Sequence, residues 1–133
     1  MTTLLAHIRI KPGKEAKWEA IMQDMVAQTF ATEEGVRRYE YWKGQEPNSY
    51  YCLLSFADKA AFYHHQMSDH HEGHDFGDVL EDIRLEYIDP VADAGGGLAR
   101  TLDPPLADDA PPEQRIAQER FPLQIAPWWS GRK

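Results

Sequence analysis

VRRYEYWKGQEPNSYYCLLSF, residues 36–56, reads as two strands around a turn. VRRYEYWK (36–43) and YYCLLSF (50–56) are built from the aromatic and aliphatic residues that suit a pleated surface. GQEPNS (44–49) carries Pro47, Asn48 and Ser49, which favour a turn. The stretch predicts a β-hairpin. Alternation puts Tyr39 and Tyr41 on one face of its first strand and Trp42 on the other. One set belongs to a core or a subunit interface. The other is free to stack on an aromatic ligand.

Upstream, LLAHIRI (4–10) alternates, with Leu4, Ala6, Ile8 and Ile10 on one face and Leu5, His7 and Arg9 on the other. KPG (11–13) is a turn. EAKWEAIMQDMVAQTF (15–30) then sets Trp18, Ile21, Met22, Met25, Val26 and Phe30 at helical spacing, as a core-facing stripe. Glu34-Gly35 closes that helix or its loop. Downstream, Asp58 is placed to cap a helix through AAFYHH. A second helical piece is expected from Ser68-Asp69 to about Asp82, and RLEYID (84–89) reads as a strand stopped by Pro90. The order β-α-β-β-α-β predicts an α+β, ferredoxin-like antiparallel sheet. Helices cover one face of such a sheet. Its other face meets water, a ligand or another subunit.

Residues 91–133 differ in character. They hold Gly95-Gly96-Gly97 and six of the nine prolines. We expect two parts: a ferredoxin-fold domain over 1–90, and a Pro/Gly-rich C-terminal extension over 91–133 packing on the body or on a partner subunit. PPEQRIAQERF (111–121) can start a short helix with proline in its first turn. Leu98, Leu102, Leu106, Ile116, Phe121, Leu123, Ile125, Trp128 and Trp129 are the available anchors.

The net charge of −8 includes no basic patch, which argues against a nucleic-acid partner. Cys52 is the single cysteine, so no internal disulfide forms. It sits in an apolar run and reads as a packing residue rather than a nucleophile. No run approaches the roughly 20 apolar residues of a membrane span. The start MTTLLAHIRIKPGK lacks the features of a signal peptide. The expected setting is cytoplasmic, without a membrane partner.

FYHHQMSDHHEGHDF (62–76) holds five of the six histidines: His64, His65, His70, His71 and His74. His70 and His74, four apart, share a helical face and have metal-ligand spacing, with His65, His7 or Asp69 as a third donor. HHEGH is not the zincin motif. Glu72 follows His71, whose partner His74 is only three residues on.

Four segments together resemble the antibiotic biosynthesis monooxygenase family of dimeric α+β barrels: KPGKEAKWEA, EEGVRRYEYW, SFADKAAFYHHQMSDHH and LEYIDP. The resemblance covers about residues 3–90. It implies a homodimer whose sheets pack face to face, with a pocket between sheet and helices or at the open face. Relatives of this kind include cofactor-independent oxygenases of phenols and hydroquinones, and haem-degrading enzymes. His65 falls on the family's helix histidine and is implied as the base, helped by His7 or His74. A histidine suits that task because it titrates near about pH 6.5. Arg9 is the candidate to hold an anion, and Tyr39, Tyr41 and Trp42 to hold the ring. Leu54 and Phe56 stand where members often carry Glu and Trp, so any role of that Glu is lost. His74 lies roughly where haem-degrading relatives place their axial ligand. However, His65 and His7 replace the Trp and Asn of that signature.

The expectation is a small monooxygenase-like enzyme acting on a phenolic or quinol-like aromatic compound without an organic cofactor. The alternatives are a metal-dependent enzyme using His70 and His74, a haem-binding or haem-degrading protein, and a non-catalytic dimeric binding protein.

Overall fold

The computed structural model describes residues 1–129. Its strands are β1 (Thr2–Ile10), β2 (Val36–Lys43), β3 (Ser49–Phe56) and β4 (Leu80–Tyr87). They form one antiparallel sheet in the order β2-β3-β1-β4. Helix α1 (Glu15–Thr32) joins β1 to β2, and α2 (Lys59–Gln66) follows β3. The short α3 (Asp69–Glu72) and one 3-10 turn (Phe76–Asp78) lead into β4. This is the α+β, ferredoxin-like arrangement expected from the element order.

Register fixes which side chains meet the helices. Leu4 pairs with Leu54, and Leu54 with Tyr39; Ala6 pairs with Cys52, and Cys52 with Tyr41. These residues face α1 and α2 and, apart from the partly buried Tyr41 packed against them, form the buried core with Ile8, Ile10, Tyr50, Phe56, Trp18, Met22, Met25, Phe62 and Tyr63. Leu5, His7 and Arg9 alternate onto the helix-free face, opposite Leu53, Tyr51 and Ser49. Asp58 caps α2, its Oδ1 accepting from the Ala61 backbone at 2.9 Å. Gly35 lets the loop before β2 touch that helix: a Cβ there would lie 2.4 Å from Ala61 Cβ.

Three expectations change. Phe30 is exposed rather than core, because the inward row of α1 runs Trp18, Met22, Met25, Thr29 and leaves residue 30 a further 100° round the helix. The helical piece beginning at Asp69 stops at Glu72 instead of near Asp82. Gly73 N donates to Asp69 O at 2.8 Å, and a Cβ on Gly73 would come within 2.6 Å of that same oxygen. The fourth strand begins at Leu80 rather than Arg84. Its register shifts where Arg9 pairs with Asp82 and Ile10 with Leu80, leaving Glu81 as an extra residue. That bulge places Leu80 and Ile83, three apart, on one side of the sheet, a spacing that imitates a helix.

Beyond β4 the chain runs back along the body. Thr101 is buried, its Oγ1 donating to Ile88 O and its N–H to Asp89 Oδ1. Lys59 Nζ meets Asp103 at 2.5 Å. Helix α4 (Pro112–Arg120) then packs on α2 through Ala117. Its last turn presents Phe121 O to the hydroxyls of Tyr63 at 3.1 Å and Tyr87 at 2.7 Å. Leu106 and Phe121 pack against the core, whereas Leu102, Ile116 and Trp128 are exposed. The last four residues of the predicted extension, 130–133, lie outside the described residues.

Candidate active site

Between the sheet and the helices lies a cavity of about 200 Å³. Strand residues Ile8, Leu54 and Leu85 floor it, Trp18 and Met25 of α1 wall it, and Phe121 from the C-terminal segment closes one side. The lining is mostly apolar. Polar atoms enter from few places: Trp18, His65, Gln66, His71, Tyr39, Tyr41 and Cys52. A larger and more open hollow of about 830 Å³ lies between β4 and residues 120–129. It carries Arg84, Glu86 and Arg120 but no histidine. The smaller cavity is the chemical candidate because an apolar chamber with few convergent polar groups is how small-molecule sites are built.

His65 is 1% exposed, and the cap at Asp58 sets the start of the helix that carries it. Its Nδ1 donates to both oxygens of Glu33, at 3.1 and 3.2 Å, and lies 3.5 Å from Thr29 Oγ1. A carboxylate only accepts, so Nδ1 carries a proton, and the neutral tautomer that fits this contact has its lone pair on Nε2. Glu33 also receives the Nε2–H of His70 at 2.5 Å. Burial alone would raise the Glu33 carboxyl. The hydrogen bonds and charges of His65 and His70 outweigh it and hold the group below the ordinary range. Tyr39, nearly perpendicular to it, and Phe56, tilted against it, pack on the His65 ring, with centroids 4.8 and 5.1 Å away.

The other cavity groups are neutral. Burial, reinforced by electrostatic repulsion from the neighbouring His65 and His70 rings whenever they are protonated, lowers His71 to about 4. Its ring lies 5.3 Å from that of His65, and its Nδ1 has no hydrogen-bond partner. Trp18 Nε1 is likewise buried without a partner. Tyr39 and Tyr41 share a hydroxyl–hydroxyl bond of 2.8 Å, and burial pushes both phenols above their ordinary value. Burial pushes the Cys52 thiol up to about 12, so it is a packing group and not a thiolate nucleophile.

The residues singled out from sequence separate into two faces. His65, Tyr39 and Tyr41 meet at the cavity. His7, Arg9 and Trp42 lie on the helix-free face. There His7 Nε2 donates to Glu86 at 3.1 Å, Arg9 pairs with Glu46 at 3.7 Å, and Trp42 is 60% exposed, its Nε1 donating to Glu40. His70 and His74 do not share a partner: His70 reaches Glu33, whereas His74 Nε2 lies 3.0 Å from Asp24 Oδ2, outside the cavity lining. Gly73 ends α3 between them, so the helical geometry that would align four-apart residues is absent. Sequence reasoning missed Glu33, His71 and Trp18. Glu33 was visible only as the first of two acids before Gly35, in a loop that gave no hint of facing inward.

The family profile for antibiotic biosynthesis monooxygenase matches residues 1–74. Solved structures share the arrangement. A candidate antibiotic biosynthesis monooxygenase from Caulobacter crescentus is 26% identical, with 68% of this chain and 89% of that chain covered and a TM-score of 0.63. A protein from Shewanella oneidensis is 25% identical over 65% of this chain and 87% of its own, with a TM-score of 0.60. A second candidate antibiotic biosynthesis monooxygenase, from Bacteroides thetaiotaomicron, is 24% identical over 68% and 89%, with a TM-score of 0.63, and bears on the fold alone. No curated protein matches the sequence. The family match spans more than half of the sequence and the fold agrees with it: the chain belongs to the antibiotic biosynthesis monooxygenase family.

Proposed function

We propose that the protein is a small monooxygenase that oxidises a phenolic or quinol-like aromatic compound in the sheet–helix cavity without an organic cofactor. The observation that carries this reading is the Glu33–His65 pair beside an apolar chamber. Glu33 holds Nδ1–H, so the ring offers Nε2 to a substrate hydroxyl and the carboxylate stabilises the imidazolium that results. Tyr39 and Tyr41 remain protonated, and their hydroxyls can donate to developing negative charge. Trp18 Nε1 and His71 Nδ1, in the wall without a hydrogen-bond partner, suit a ligand with a second polar group.

The reaction balances without an external reductant. His65 takes the phenolic proton, and the electron-rich anion reacts with O₂ at a ring carbon to give a hydroperoxide. Loss of water from that adduct leaves a carbonyl, with one oxygen atom in the quinone and the other in water. The ring C–H and the phenol together supply the two hydrogens of that water.

The reading also carries a homodimer formed through the helix-free face, as the family resemblance implies. Oxygen uptake by untagged protein with a panel of phenols and hydroquinones tests the activity. Removing the base costs about 10²–10⁴-fold, so His65→Ala is expected to lose turnover by that factor. Glu33→Gln, which keeps the shape but not the charge, should retain more activity than His65→Ala. Full turnover by His65→Ala overturns the assignment.

A further inference from the structure

We propose that Glu33, His65 and His70 form a binding site for a divalent transition-metal ion. One carboxylate oxygen and two imidazole nitrogens, one donor from each residue, lie within 4.8 Å of one another. The three residues come from different elements: the end of α1, the last turn of α2, and α3. The fold therefore converges them, which a chance pair on one helix would not require.

Their separations suit an ion. A zinc held at about 2.0–2.1 Å by tetrahedral ligands sets its donors about 3.3 Å apart. Glu33 stands 3.1–3.2 Å from His65 Nδ1 and 2.5 Å from His70 Nε2. Opening the second of these contacts by less than an ångström brings both carboxylate contacts to that spacing, and the two imidazole nitrogens already lie within 4.8 Å of each other. Two imidazoles and a carboxylate are a borderline donor set, suited to zinc, iron, cobalt or nickel rather than to calcium or magnesium. Three protein ligands leave at least one position open, the arrangement of a reactive rather than a purely structural site. His65 and Glu33 are buried, while His70 reaches partial exposure and gives the ion its way in.

Binding replaces the protons that now bridge the trio. With a metal on Nδ1, His65 carries its proton on Nε2 and no longer accepts one there. The metal-loaded and base-competent forms are thus alternative states of one residue. The site differs from the four-apart pair His70 and His74, because Asp24 holds His74 elsewhere.

Zinc titration of chelator-stripped, untagged protein by calorimetry at neutral pH tests the inference, with cobalt as an optical probe. The expected result is about one tight equivalent of zinc and the visible bands of low-coordinate cobalt. Both should be lost in His70→Gln, a substitution at the partly exposed member that spares the core, and both kept in His74→Gln. The cobalt spectrum reports ligation even where Glu33→Gln proves unstable. No tight equivalent in the wild type, or equal zinc binding by His70→Gln, overturns the site. Oxygen uptake by the stripped protein judges the oxidation reading separately, since neither binding readout involves turnover.

Discussion

Glu33 accepts from two histidines at once and sits beside a third, His71, whose neutral form the cavity enforces. Several tests belong to these single groups. The expected loss of turnover on removing His65 is one. Another is a stability change with pH. A histidine in the unfolded chain titrates near 6.5, whereas His71 in the fold is lowered to about 4 by burial. The unfolded state therefore takes up a proton that the folded state refuses. This contribution is fully present above pH 6.5 and is lost as pH falls towards 4, by an amount on the order of a few kcal/mol. Urea denaturation midpoints across that window should fall for the wild type and fall distinctly less for His71→Phe. Equal slopes in the two proteins would contradict the assignment. Glu33 acts lower in pH. Its depressed carboxyl adds stability above its ordinary range, and this is lost as pH drops through the folded value.

At the scale of elements, α2 matters most because it carries His65. Its start depends on Asp58, whose side chain satisfies Ala61 N–H. Asp58→Ala should cost about 1 kcal/mol, the ordinary value of an N-cap, seen as a lower thermal midpoint with turnover per folded molecule retained. No change in melting would show that the cap contributes nothing. Most of these elements were legible in sequence because burial follows period: β1, α1 and the hairpin each alternate or repeat cleanly. The failures have physical causes. The bulge at Glu81 breaks the two-residue alternation at the start of β4, where the helical piece was expected to continue to about Asp82. Thr29, a polar residue, holds an inward position because it lies beside His65, and Phe30 was read in its place.

For the whole molecule, the sheet has two faces with different fates. One is filled by helices and holds the cavity. The other exposes Trp42 and Tyr51 beside charged residues such as Arg84 and Glu86. We propose it as the subunit interface. Sedimentation should give a dimer for the wild type and a monomer for Trp42→Asp combined with Tyr51→Asp; a dimer in that double variant would remove this face from the interface. The C-terminal segment contributes Phe121 to the cavity wall, a placement that composition could not announce in a stretch rich in glycine and proline. The candidate site was half legible for a similar reason. Histidines and tyrosines stand out in a sequence, but which face of β1 looks inward follows from packing, and that packing sends His7 and Arg9 outward.

In the proposed function the aromatic substrate binds in the cavity against Nε2 of His65. Nitrogen NMR of the six histidine side chains during titration with a substituted phenol tests it most directly, because each ring reports its own surroundings. The signals of His65 and His71 should shift with saturation while that of His7 stays still. Saturable shifts confined to His7, on the helix-free face, would contradict it.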